Sequence, residues 1–290
     1  MRFTFLGTGT SAGVPSIGCF CPVCTSQDLR DQRLRTSGLV DFTDASGKHR
    51  SILIDAGPDL RQQSLRAKMT RCDGVLFTHN HVDHTFGLDE LRRFNAVMHA
   101  PIDVYGEPHT IEHLQRVYRH IFDKANNTND SFVATLIPHR IEVEHVLGLH
   151  GLKITPFRLL HGRLPILGYR FDAPPSFSPG PDSPFPLAYC TDVSGIPPET
   201  WKHLTGLNTL VLDALRHRKH PTHLTVEEAS NVAERIGARQ TWFVHMSHDL
   251  SHEETNRSLP PDMRLAHDGL ILGRWEQPAN QLSAAKSDMT

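Results

Sequence analysis

Short apolar runs, many of them alternating with polar positions, dominate the first half of the chain. Those at residues 2–6, 38–42, 50–54 and 74–77 predict strands, as do runs at 103–105, 132–137, 153–160, 166–171 and 187–190. Helical patterns over 58–67, 88–94 and 107–122 interrupt them. The second half adds a strand at 209–212, a helix at 226–236, and strands at 241–244 and 270–273. The helix at 226 has the clearest local signature. Thr225 stands at its N-cap and Glu228 three residues on, the pair that satisfies two orphan amides reciprocally. Strands interspersed with helices, without a strict strand–helix period, predict an α+β arrangement of two sheets faced by helices rather than a doubly wound sheet. Residues 172–185, with five prolines, predict a surface loop, and 277–290 a disordered tail. One domain over residues 1–276 is therefore expected.

Composition narrows the function classes. The chain has 290 residues, with 30 basic and 32 acidic side chains and a formal net charge of -2. A wholesale nucleic-acid binder would show a basic excess, so a small anionic substrate is the better expectation. No apolar run approaches the ~18 residues of a membrane span. The opening Met1-Arg2-Phe3-Thr4-Phe5 lacks a signal-peptide pattern, so a cytoplasmic location is expected. Of the five cysteines, Cys19, Cys21 and Cys24 lie within six positions. An odd, clustered count without a secretory signal points to metal rather than a disulfide framework. The 20 histidines point the same way, but spacing has to decide.

Spacing does so at Thr78-His79-Asn80-His81-Val82-Asp83-His84, directly after the apolar run 74–77. His79 and His81, two apart, project the same way in extended chain, and each can offer an imidazole nitrogen to one ion at roughly 2.0–2.1 Å. Asp83 and His84 then turn toward a second position. A polar turn with incidental histidines is the plain alternative, and four potential ligands in six residues argue against it. Further ligand types follow predicted strand ends: His161, Asp192 and His245. Each alone reads as a loop residue; their shared position carries the weight. A carboxylate such as Asp192 has two oxygens and can bridge two ions.

With those residues the chain resembles the metallo-β-lactamase superfamily, from about Phe3 to Gly273. The resemblance implies a four-layer αββα sandwich with two divalent ions at one edge. It assigns His79, His81 and His161 to the first ion, Asp83, His84 and His245 to the second, and Asp192 to both. Aspartate at that shared position is similar to the hydrolase and phosphodiesterase branches; the β-lactam-cleaving branch usually has cysteine there. Asp55 matches an acidic position that orients a histidine ligand or braces its loop. Zinc or manganese, or iron, suits such mixed ligands.

Cys19-x-Cys21-x-x-Cys24 is a compact set of soft ligands that needs a fourth, and His248, three residues after His245, is the best candidate for closing a structural zinc site. Cys72 and Cys190 read as core thiols. Preceded by Gly7-Thr8-Gly9-Thr10-Ser11-Ala12-Gly13-Val14-Pro15, this cluster looks like that of the cyclic-phosphate phosphodiesterases of the carbon–phosphorus lyase pathway, which hydrolyse phosphoribosyl 1,2-cyclic phosphate. The glycine stretch also resembles the start of tRNA 3′-processing endonucleases, although no basic arm for tRNA is visible. Its glycines serve either a tight turn or amides aimed at a phosphate. Two ions roughly 3.5–4 Å apart activate water near neutral pH. Asp83 and His223 are the candidate catalytic residues. His223 matches the position that assists the leaving group, and His217 and His220 remain alternatives. Arg216 and Arg163 are possible phosphate contacts, and Asp268-Gly269 a structural turn. Competing readings are a thioester or lactone hydrolase and a non-catalytic metal-binding member. The sequence leaves open whether the chain forms a homodimer.

Overall fold

The computed structural model describes residues 1–123, 132–174, 180 and 182–274. The expected tail at 277–290 and part of the proline-rich loop lie outside these residues. Fourteen strands form two sheets. In the first half lie β1 (Arg2–Gly7), β2 (Ser37–Thr43), β3 (His49–Ile54), β4 (Gly74–Leu76), β5 (Ile102–Gly106) and β6 (Leu136–Arg140). The rest are β7 (Leu147–Leu149), β8 (Leu152–His161), β9 (Leu164–Asp172), β10 (Leu187–Cys190), β11 (Thr209–Asp213), β12 (Gln240–Val244), β13 (Met263–Leu265) and β14 (Ile271–Leu272). One sheet runs β14-β1-β2-β3-β4-β5-β6, the other β13-β12-β11-β10-β9-β8-β7. The helices are α1 (Leu60–Arg66), α2 (Val82–Thr85), α3 (Leu91–Met98), α4 (Pro108–Val117), α5 (Arg119–Phe122), α6 (Val226–Ile236) and α7 (His252–Ser258).

Alternation along the strands sorts residues into three cores. Phe3, Phe5, Val40, Ile52 and Ile54 meet Tyr169, Phe171, Tyr189 and Val244 between the sheets. On the far face of the first sheet, Leu39, Leu53 and Val75 meet Leu60, Leu91 and Leu114 of the helices. On the far face of the second, Leu210, Leu212 and Phe243 meet Val226, Ala229 and Ala233 of α6. Both faces of each sheet are thus buried, giving the four-layer αββα order.

Element positions follow local chemistry where it is strong. Helix α6 spans the predicted 226–236, with the Thr225–Glu228 capping box formed and Gly237 left-handed at its end. Weak patterns moved. The strand expected at 132–137 forms at Leu136–Arg140 instead, since β6 pairs only with β5 and its half-exposed residues impose no clean alternation. The helix expected at 107–122 breaks at Tyr118 (φ -105°, ψ 45°), whose hydroxyl donates to the Thr85 carbonyl. Strands β7 and β13 and helices α2 and α7 are too short or too polar to announce themselves. Among the described residues, no helix is long and apolar enough to cross a membrane.

Candidate metal centre

Strands β3 and β4 run parallel in one sheet, and β10, β11 and β12 run parallel in the other. Their C-terminal ends deliver side chains to one edge of the sandwich. Three residues there adopt left-handed backbone that non-glycine side chains rarely accept: Asp55 (φ 59°), Asp192 (φ 58°) and His245 (φ 60°). Strain of this kind persists where surrounding structure overdetermines it, and here it turns each side chain off its strand into the shared edge.

Two sets of ligand atoms converge. His79, His81 and His161 form one, and Asp83, His84, Asp192 and His245 the other, each set within 4.8 Å of one another. The His84 Nε2 lies 3.2 Å from both Asp83 and Asp192, and the His245 Nε2 lies 3.2 Å from Asp192 and 3.7 Å from Asp83. Asp192 also groups with His161 and His223, so its carboxylate spans the two sets.

The residues fit a cation. The Nε2 atoms of His79, His84 and His245 are buried without a hydrogen-bond partner, a costly arrangement unless a ligand completes it. In His79, His84 and His161 the opposite nitrogen is used to orient the ring. The His84 Nδ1 donates to Asp55 at 2.7 Å, and the His161 Nδ1 to the Thr222 carbonyl at 2.8 Å. The His79 Nδ1 meets the Thr78 hydroxyl at 3.0 Å, which itself donates to Asp55 at 2.8 Å. Asp55 is therefore the brace for two histidines and takes the Thr78 amide as well. Burial holds His79 well below the usual imidazole value, suited to a neutral ligand. Burial also opposes charge on His84, but Asp192, Asp83 and Asp55 override it and raise that ring, marking a place that draws positive charge.

Of the three loop histidines, His223 is the one brought to the site. It is buried, stacks on His245 (centroids 4.7 Å, 14°) and lies 4.6 Å from the His161 ring. His217 is exposed, and His220 bonds back to Thr222. Arg163 is exposed, and Arg216 donates to carbonyls of its own loop. Asp213 had escaped the sequence reading. It ends β11, is fully buried, accepts from the His223 Nδ1 at 3.1 Å and lies 3.5 Å from the His245 Nδ1. Its strand-end position is the signal already used for Asp192 and His245.

The glycine stretch serves packing. The amide of Gly9 donates to Leu34 and that of Thr10 to Met246, so these donors are spent within the backbone rather than aimed at an anion. A Cβ on Gly9 would fall 2.7 Å from the Arg33 carbonyl oxygen. The Asp268 side chain is 3% exposed and holds Thr8 at 2.7 Å and the Leu34 amide at 2.8 Å, a structural brace.

A second cluster gathers Cys19, Cys21, Cys24 and His248, again within 4.8 Å. The His248 Nδ1 is 3.2 Å from Cys19 and 3.3 Å from Cys21. The Cys24 amide and His248 pull the Cys21 thiol down to about 6, while burial lifts Cys24 to about 11. All three thiols are free, and three sulfurs with one imidazole make a donor set for zinc-like ions.

Comparison with known proteins agrees with this geometry. The beta-lactamase superfamily domain matches residues 50–246. The chain belongs to the metallo-β-lactamase superfamily. A crystal structure of a diphosphatase from the PhnP family is 40% identical, covers 94% of this chain and 98% of its own, and superposes with a TM-score of 0.81. An octanoyltransferase of Porphyromonas gingivalis is 38% identical over 274 residues, 93% of this chain and 51% of that protein. Coenzyme PQQ synthesis protein B of Bradyrhizobium diazoefficiens is 32% identical over 169 residues, 54% of this chain and 52% of that protein. The chain thus spans about half the length of these curated relatives. Zinc-bound PqqB from Methylobacterium extorquens shares the fold at 20% identity and a TM-score of 0.73. The chain thus has the metallo-β-lactamase fold with residues arranged to bind metal.

Proposed function

We propose that the chain hydrolyses a small phosphodiester, of the cyclic type represented by phosphoribosyl 1,2-cyclic phosphate. The observation that carries this is Asp192, an aspartate shared by two ligand sets beside a histidine held ready by Asp213. His79, His81 and His161 would hold one divalent ion, Asp83, His84 and His245 a second, with Asp192 serving both; zinc or manganese fits. Cys19, Cys21, Cys24 and His248 would hold a structural zinc. A bound pair supplies Lewis-acid charge on the phosphoryl oxygens and lowers the pKa of water for attack on phosphorus. Asp83 would complete the second set and orient the entering water. His223, with Nδ1 on Asp213, presents Nε2 to the site and gives its proton to the leaving alkoxide. Asp213 holds that tautomer and fixes the ring's orientation.

The 40% identical diphosphatase supports phosphoryl chemistry and also a second reading, hydrolysis of a phosphoric anhydride. The P. gingivalis relative supports an acyl thioester as the contrast substrate. The metal-loaded protein should be assayed on bis(p-nitrophenyl) phosphate, phosphoribosyl 1,2-cyclic phosphate, a nucleoside diphosphate and an octanoyl thioester. The diesters should turn over fastest, and Asp83→Ala should abolish that activity. Preference for the anhydride moves the assignment to a diphosphatase; preference for the thioester rejects phosphoryl chemistry.

A further inference from the structure

Arg33 is a buried guanidinium that the proposed chemistry does not use. Its Nη1 donates to the Ser247 carbonyl at 2.8 Å, and its Nη2 to the Leu250 carbonyl at 2.6 Å and to Asp31 at 3.1 Å. Its Nε is buried without a hydrogen-bond partner. A charge kept at such depth with one donor unspent is expensive, and an apolar side chain of the same volume would avoid that cost. What only a forked, multi-donor head can do is grip two carbonyls of one turn. The turn it grips, from Ser247 to Leu250, overlaps a segment with unusual duties. His245, at one end, belongs to the set with Asp83, His84 and Asp192; His248, three residues on, belongs to the thiol set. The backbone of Arg33 meanwhile pairs in both directions with Val14, at the base of the cysteine loop, at 2.8 and 2.9 Å.

We propose that Arg33 is the positioning residue for both metal sets. By fixing the turn after His245, it places that ring against the carboxylates and the His248 ring against the thiols. Its loss then weakens two of three ion sites. The set of His79, His81 and His161 keeps its affinity, because those residues come from the β4 loop and β8 rather than from the gripped turn. The inference rests on the proposed reading of both clusters as metal sites.

Cobalt(II) titration separates the sites. Thiolate-to-cobalt charge-transfer absorption reports the cysteine set alone, and elemental analysis after graded chelation counts the remainder. Folded Arg33→Met should bind cobalt at the thiols on the order of tenfold more weakly. It should also retain one further ion under chelation that leaves the wild type with two. Arg33→Lys, which restores the charge and a single ammonium nitrogen but not the planar fork, should recover part of the loss. Unchanged affinities in folded Arg33→Met overturn the proposal, and so does equal weakening at all three sites. Should Arg33→Met fail to fold, Arg33→Lys decides: one ammonium nitrogen in place of the fork that spans two carbonyls must weaken the same two sites, and wild-type affinity at both would overturn the idea. A wild type showing no thiolate–cobalt band would instead sink the metal reading beneath it.

Discussion

Asp213 holds the Nδ1 of His223 and closely approaches that of His245, so one carboxylate sets the tautomer of a proton donor beside a ligand. Replacing it by Asn keeps the shape but removes the obligate acceptor that fixes the His223 tautomer. For Asp213→Asn we expect kcat on an alkyl phosphodiester to fall by roughly 100-fold or more, within the range of general-acid catalysis. The loss should shrink for a p-nitrophenolate leaving group, which needs no proton. Equal losses on the two substrates, with the variant folded, would remove His223 from the proton-transfer role. Gly57 shows the same dependence on exact placement from the packing side. A Cβ there would fall 2.1 Å from the Asp83 carbonyl oxygen, so glycine is what lets the ligand loop close over the strand end.

Helix α7 was the least legible of the larger elements, since His252–Ser258 is polar throughout, yet it carries a pH dependence. His252 is capped from outside, its amide donating to Asp31 at 2.8 Å. Burial, with Arg30 and Arg33 nearby, lowers its ring from 6.5 to about 4. A depressed imidazole is neutral in the folded state while the unfolded chain takes up a proton below its ordinary value. Stability is therefore full above 6.5 and is lost progressively as pH falls toward about 4. Urea midpoints at pH 7 and pH 5 should show a smaller acid loss for His252→Gln than for the wild type. Identical losses would exclude His252 as a source. Strand β6 and the broken α4–α5 pair teach the complementary lesson. Apolar runs predicted that elements exist, but an edge strand's register and the break at Tyr118 came from neighbours, β5 and the Thr85 carbonyl.

Across the whole molecule the ligand sets join the two sheets. His79, His81, Asp83 and His84 come from the loop after β4 in one sheet, and His161, Asp192 and His245 from strand ends of the other. Bound ions would therefore act as staples across the sandwich. Ligand held at about 100 times its dissociation constant adds about 2.7 kcal/mol to stability. At roughly 2–4 °C per kcal/mol for a domain this large, thorough chelation should lower Tm by at least about 5 °C, and zinc should restore it. An unchanged Tm in calorimetry would mean that the sheets do not depend on metal for their docking.

Two kinds of information separate cleanly. Contiguous chemistry was determined by the sequence alone: the run His79–His84, the triplet Cys19, Cys21 and Cys24, and the capping box at Thr225, because spacing and backbone dihedrals set those relations within a few residues. Two sheets faced by helices were also legible, through strand-like runs interspersed with helical patterns without a strict period, while the four-layer αββα order was what the family resemblance implied. Tertiary structure alone decided which distant residues meet. It brought His161, Asp192 and His245 to the histidine run, chose His223 over His217 and His220, and revealed Asp213 and Arg33. Those relations depend on strand order and on where parallel strands end in space, and no local preference in the chain encodes a contact between residues of different strands and loops.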